Sequence, residues 1–217
     1  AITSPIIGPR NLEQLAEIQE VLNRGKGAVL VTAHFGNWEL AQVGFSLVPG
    51  RQIHVLARDQ KHPLLDQFLN SLRQSHGAVR ASRGIGIRGL LRALRQSKCI
   101  GVLGDQDAGK QGGILLPFFG RKTTVPTGAF KLALRTGAPL IIIFFVRRQK
   151  RIHGGYVAEI IFPEQLRRQT EHPEQAIEIS AGIYLNHLEN FIRRFPDQWL
   201  WESKRWKYSW TKRILIL

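Results

Sequence analysis

Methionine is missing from all 217 residues, including the first, so the sequence reads as a fragment or a processed form. Cysteine occurs once, at Cys99, which excludes a disulfide framework and points to a reducing compartment. Cys99 opens an apolar run, so it reads as a buried structural thiol rather than a nucleophile. Acidic residues are scarce: 16 Asp and Glu stand against 31 Lys and Arg, for a net charge of +15. That imbalance favours acidic partners such as nucleic acid, an anionic membrane surface or an acidic carrier protein; solubility alone is the plainer account. Long apolar runs are also lacking. The longest, Ala138 to Val146, falls well short of the roughly 20 residues that a membrane-spanning helix needs, and no secretory signal is legible at Ala1.

Several catalytic signatures are absent as well. There is no His-Glu-x-x-His and no second His or Cys at ligand spacing, so no metal site is expected. Gly-x-Ser-x-Gly is absent too, which removes the usual serine nucleophile. The glycines between Gly84 and Gly89 are not read as a dinucleotide cradle, and no cofactor is expected.

What is present is apolar periodicity. With 43% apolar and 22% charged residues, the chain can bury a core, and its length fits one domain spanning 1–217. Leu12, Leu15, Ile18 and Leu22 recur with helical spacing between Asn11 and Asn23. Buried strands are predicted at Ala28–Ala33, Gln52–Ala57, Cys99–Leu103 and Leu140–Val146, with a short one near Ala78–Ala81. Helices are predicted at Asn37–Leu47, from Pro63 to about Leu72, at Ile87–Gln96, at Thr127–Arg135 and at Glu174–Phe195. Strands alternating with helices favour parallel pairing. Tyr156–Phe162 follows its neighbouring strand closely enough to form an antiparallel hairpin. The fold class is therefore α/β: a mostly parallel or mixed central sheet flanked by helices, with an antiparallel edge hairpin. Gly109–Gly120 is too apolar for a solvent loop.

One stretch, Ala28 to Leu47, holds the candidate chemistry. Its strand ends at His34, a short turn follows through Asn37, and Glu39 stands in the first turn of the next helix. Ligands in α/β sheets usually sit at the carboxyl ends of strands. A helix N-terminus favours an ionised Glu39, which could orient the imidazole of His34 as a general base. The same spacing equally suits a buried histidine bonded to backbone and a carboxylate that merely starts a helix. Arg58, after the second strand, could hold a phosphate or phosphopantetheine group or form a surface ion pair. Asp105 and Asp107, after the Cys99–Leu103 strand, suit a substrate site or simple turn chemistry.

The order of these pieces resembles the bacterial lipid A late acyltransferases (the lauroyl/myristoyl acyltransferase family), within the glycerolipid acyltransferases that carry an H-x4-D/E motif. The resembling blocks are His34-Phe-Gly-Asn-Trp-Glu39, Ala57-Arg58-Asp59-Gln60, Gly104-Asp105-Gln106-Asp107, Pro117-Phe118-Phe119-Gly120 and Thr136-Gly137-Ala138-Pro139. Pro196-Asp197-Gln198-Trp199-Leu200-Trp201 with Arg205-Trp206-Lys207 completes them. The resemblance implies a glycerolipid-acyltransferase-like fold and acyl transfer from acyl-acyl-carrier protein to a hydroxyl of a lipid A precursor of the Kdo2-lipid IVA type. It further implies a cytoplasmic-face location on the inner membrane, either peripheral or through an anchoring segment beyond this sequence. Under it His34 is the base and Glu39 its partner, while Arg58, Asp105, Asp107 and Asn37 bind or orient substrate. The basic, tryptophan-bearing tail from 196 to 217 suits an anionic membrane surface, or partial packing on the core. Another glycolipid or a lysophospholipid is the alternative acceptor. A basic nucleic-acid-binding protein would explain the charge but not the strand-end placement of His34, Arg58 and Asp105, so no nucleic acid partner is expected.

Overall fold

The computed structural model describes residues 9–39, 53–56, 62–75, 78–81, 86–149, 152–203 and 205–206. Helix α1 (Pro9–Asn23) turns Ile18, Val21 and Leu22 inward, the i, i+3, i+4 pattern of an amphipathic helix. It leads into β1 (Ala28–Thr32), a run of five residues buried on both faces. Burial of this kind suits a strand inside a parallel sheet. The other strands of that sheet are β2 (Ile53–Leu56), β3 (Ala78–Ala81) and β4 (Cys99–Leu103), joined later in the chain by β7 (Leu140–Gln149) and β8 (Ile152–Ile161). Their order is β3-β2-β4-β1-β7-β8. All pairings are parallel except the last, in which β8 returns antiparallel to β7 at the edge. The expected mostly parallel sheet with an antiparallel edge hairpin is what forms.

Helix α2 (Pro63–Ser75) links β2 to β3, and α3 (Gly86–Arg95) links β3 to β4. The glycine-rich stretch after β4 becomes a short helix, α4 (Gly109–Gly112), and then an antiparallel pair, β5 (Gly113–Phe118) with β6 (Arg121–Pro126). These form a second, two-stranded sheet. Its apolar residues have a purpose, because Leu116, Phe118 and Val125 are buried in the main core. Helix α5 (Gly128–Thr136) stops at Gly137, whose φ of 72° supplies the left-handed cap. Helix α6 (Pro163–Gln169) is too short to display a period in the sequence; α7 (Pro173–Arg194) is the long helix expected there. A 3₁₀ turn, Pro196–Gln198, follows α7. Of the helix expected at Asn37–Leu47, residues 38–39 are helical, Asn37 precedes them, and 40–47 lie outside the described residues.

Two apolar clusters cover the two faces of the sheet. One holds Val29, Val31, Phe144, Leu90 and Tyr184 with α3, α5 and α7; the other holds Leu30, Ile53, Ile141 and the inner side of α1. Cys99 is a buried thiol in the second cluster, in keeping with a structural role. Among the described residues, no helix is long and apolar enough to cross a membrane.

Candidate active site

Strands β1 and β4 are parallel neighbours whose register pairs Ala28 with Cys99 and Thr32 with Leu103. Gly104 N–H continues the ladder by donating to Thr32 O at 2.9 Å. The same 71-residue offset brings His34 opposite Asp105, just beyond the strand ends. The side chains meet there: His34 Nδ1 donates to Asp105 Oδ1 at 2.7 Å. Two more donors reach the other oxygen, the backbone N–H of His34 at 2.9 Å and the indole Nε1–H of Trp199 at 3.0 Å.

Asp105 is 0% exposed and Trp199 4%, whereas the His34 side chain keeps 14% of its surface in solvent. A buried carboxylate needs its lone pairs occupied, and Asp105 has three donors. Because it grips both the ring and the main chain of the same histidine, it fixes the imidazole's orientation. With an acceptor on Nδ1, the proton is assigned to that nitrogen and Nε2 keeps a lone pair. The arrangement is a histidine base with an orienting carboxylate.

The carboxylate on Nδ1 is Asp105, a contact that the spacing of His34 and Glu39 does not suggest. Glu39 lies half-buried one helical step after Trp38, whose ring meets the His34 ring at a centroid distance of 5.1 Å. Asn37 is half-buried just before that helix. Asp107 turns to its own chain: Oδ1 accepts from Gly109 N–H at 2.8 Å and from the Thr124 hydroxyl at 2.5 Å. It thereby ties the turn after β4 to the β5–β6 hairpin. Arg58 lies outside the described residues.

The site residues that sequence reasoning misses come from the tail. Segment 198–200 runs antiparallel beside 34–36: Phe35 bridges Trp199, Gly36 N–H donates to Gln198 O at 2.7 Å, and Leu200 N–H donates to His34 O at 3.0 Å. The Gln198 side chain clamps the far end of β7, donating to Arg147 O at 2.9 Å and accepting from Arg147 N–H at 2.8 Å. Gly36 is required for this close approach. Its φ is +57°, and a Cβ there would stand 1.9 Å from Phe145 O. Of the tail tryptophans that suit a membrane surface, Trp199 is buried and Trp206 is half-buried, stacked on Phe118 at 5.9 Å; Trp201 is exposed and Trp210 lies outside the described residues.

Arg205, 1% exposed, completes the electrostatics. Its Nη1 donates to Thr124 O at 2.7 Å, its own carbonyl accepts from the Thr123 hydroxyl at 2.6 Å, and its guanidinium lies over the Phe118 ring at 5.4 Å. Burial pulls this guanidinium below its usual range, while the charges of Asp105 and Asp107 oppose the pull. Tyr184 donates to Thr32 O at 2.9 Å. Burial first, then the Asp105 charge, pushes its phenol well above the ordinary value, with Arg205 opposing. Tyr184 is therefore a neutral donor that fixes the end of β1, not a proton-transfer group. The blocks around Trp199 and Arg205 are visible as part of the resemblance, yet nothing local in them signals contact with a site some 94 residues upstream.

The run Gly84-Ile-Gly-Ile-Arg-Gly89 does carry the letter spacing of a dinucleotide fingerprint between a strand and a helix, with Asp105 at the end of the next strand. The topology removes that reading. β3 and β4 are separated by β2, so they do not form the adjacent βαβ unit the fingerprint requires. Asp105 is spent on His34 and Trp199 and has no exposed surface to offer a ribose.

The sequence is similar to those of known acyltransferases. The family model described as bacterial lipid A biosynthesis acyltransferase matches residues 6–208. A lipid A biosynthesis palmitoleoyltransferase of Escherichia coli is 27% identical over 203 residues, covering 91% of this chain and 61% of that protein. A lipid A biosynthesis acyltransferase of Haemophilus influenzae is 28% identical over 189 residues, covering 86% of this chain and 56% of the relative. A phosphatidylinositol mannoside acyltransferase of Mycobacterium tuberculosis is 30% identical over 131 residues, 58% of this chain and 41% of the other. The chain thus spans about three-fifths of the length of the first of these relatives.

Proposed function

The chain belongs to the bacterial lipid A biosynthesis acyltransferase family, and on that premise we propose that it moves a fatty acyl chain from acyl-acyl-carrier protein to a hydroxyl of a lipid A precursor of the Kdo2-lipid IVA type. The observation that carries this reading is the His34–Asp105 pair at the carboxyl edge of the sheet, with Nε2 left as the lone-pair nitrogen. Nε2 takes the proton of the acceptor hydroxyl, and the oxygen attacks the thioester carbonyl. The tetrahedral intermediate collapses with cleavage of the C–S bond, and the departing thiolate takes the proton back from the imidazolium. Asp105 stabilises the imidazolium while it exists. The substrate brings its own nucleophile, so no covalent enzyme intermediate forms.

Asn37, Arg58 and Asp107 remain in the proposal as residues that shape or bind the substrate site, Asp107 by holding the turn beside Asp105. Glu39, the carboxylate of the H-x4-E block, remains in the proposal as a catalytic residue beside the His34–Asp105 pair. The net charge of +15 suits both an acidic carrier protein and a phosphorylated glycolipid at the cytoplasmic face of the inner membrane.

The test is mass spectrometry of acceptor lipid after incubation with acyl-acyl-carrier protein. The lipid A precursor should gain the mass of one acyl chain with loss of water. A second reading, acylation of another glycolipid, draws on the relative named for phosphatidylinositol mannoside; transfer to such a glycolipid in place of the lipid A precursor would select it. Trp199→Phe should lower both turnover and the melting temperature. It keeps the ring against Phe118 but removes a hydrogen bond to a charged group, worth roughly 1.5–3 kcal/mol. The check is kcat measured beside a melting curve.

A further inference from the structure

The carboxyl edge that holds His34 is also where the protein leaves large apolar side chains in water. Helix α2 follows β2 and α3 follows β3, so the first turn of each lies at that edge. In the first turns of α2, Leu64 is 70% exposed, Phe68 58% and Leu65 is exposed beside them; in the first turn of α3, Ile87 is 66% exposed. Leu64 and Phe68 are four apart and share one helical face, with Leu65 adjoining. Leu200 and Trp201 are exposed on the tail segment whose backbone bonds to His34. Residues of this kind are usually buried, and gathered on one edge they mark an interaction surface.

Charge identifies what covers it. Helix α3 has no acidic residue, and Arg88, Arg92 and Arg95 are all exposed, spaced by four and three along one face. Asp66, the acidic residue of α2, is engaged by Asn70 at 2.7 Å. Apolar tips and a cationic helix face at the same edge match the two layers of an anionic bilayer, acyl chains below and phosphates above. A nucleic acid would meet the arginines but not Leu64 and Phe68.

We propose that the carboxyl edge docks on an anionic lipid bilayer, with Leu64, Leu65, Phe68 and Ile87 inserted among the acyl chains and Arg88, Arg92 and Arg95 at the phosphates. This orientation rests on the lipid acyltransferase reading and adds to it which face meets the membrane. His34 then opens toward the bilayer, and an acceptor reaches it without leaving the lipid.

The experiment is co-sedimentation of the chain with phosphatidylcholine vesicles and with vesicles containing phosphatidylglycerol, neither holding donor or acceptor. The wild type should partition, more strongly as anionic lipid increases. Leu64→Ser, Leu65→Ser and Phe68→Ser together should weaken partition about tenfold or more. Arg88→Glu with Arg92→Glu should abolish the dependence on anionic lipid. Ile179→Ser is the control. Ile179 is 41% exposed on α7, which starts from the opposite edge because β8 runs antiparallel; its replacement should change nothing. Undiminished partition of the triple variant, equal loss on Ile179→Ser, or binding to duplex DNA with none to vesicles each overturns the proposal. Transfer to detergent-dispersed acceptor, measured separately, distinguishes failure of the docking face from failure of the chemistry.

Discussion

Asp105→Asn is expected to lower acyl transfer by about 10²–10⁴-fold while leaving the fold in place. The reason lies in the two donors at Oδ2. His34 N–H and the Trp199 indole both point at that atom, so an asparagine there keeps its carbonyl oxygen on them and turns its NH₂ toward His34. Nδ1 must then accept, the imidazole proton moves to Nε2, and the base loses the lone pair it works with. The substitution conserves shape and changes the tautomer. Steady-state assay of the lipid product, with a melting curve as control, reads the two effects separately. A rate close to wild type would mean that another group sets the tautomer.

The second large effect is expected for His34→Ala. It removes the group placed at this edge to take the hydroxyl proton, so product should fall below detection in the same mass-spectrometric assay. The truncation also leaves Asp105 Oδ1 without its donor in a buried place, which costs stability. Lost activity could then reflect a weakened fold, and added imidazole separates the cases. Imidazole entering the vacated space can hydrogen-bond Asp105 and act on the substrate, restoring measurable turnover, whereas an unfolded protein gains nothing. Unimpaired transfer by His34→Ala would remove the proposed mechanism altogether.

Much of the fold is legible in the sequence because its signals are local. Ala28–Thr32, Cys99–Leu103 and Leu140–Val146 are apolar runs with little ambiguity, and Pro63, Gly137 and Pro196 punctuate helices in the usual ways. The placing of His34 and Asp105 at strand ends is legible for the same reason. Their mutual contact is not. It depends on β4 lying beside β1 rather than beside β3, its predecessor in sequence, and strand order is set by packing that no local pattern displays. With only spacing to use, Glu39, five residues from His34, outranks Asp105, 71 residues away. Trp199 and Arg205 escape notice similarly: aromatic and basic residues near one another suggest a surface, but these two are drawn inward by Asp105, Phe118 and Thr124. The second sheet is hidden because a glycine opens β5, Pro117 interrupts it and Pro126 ends β6, which blurs the two-residue period.

All of the proposed chemistry depends on Asp105 holding the proton of His34 on Nδ1. Proton NMR in the far low-field region observes such a proton directly, because the short hydrogen bond to a buried carboxylate shifts it and slows its exchange. The wild type should show one resonance that disappears in His34→Gln, moves or vanishes in Asp105→Asn, and persists in Glu39→Gln. A resonance that survives Asp105→Asn unchanged and is lost in Glu39→Gln would return the orienting role to Glu39 and contradict the site described above.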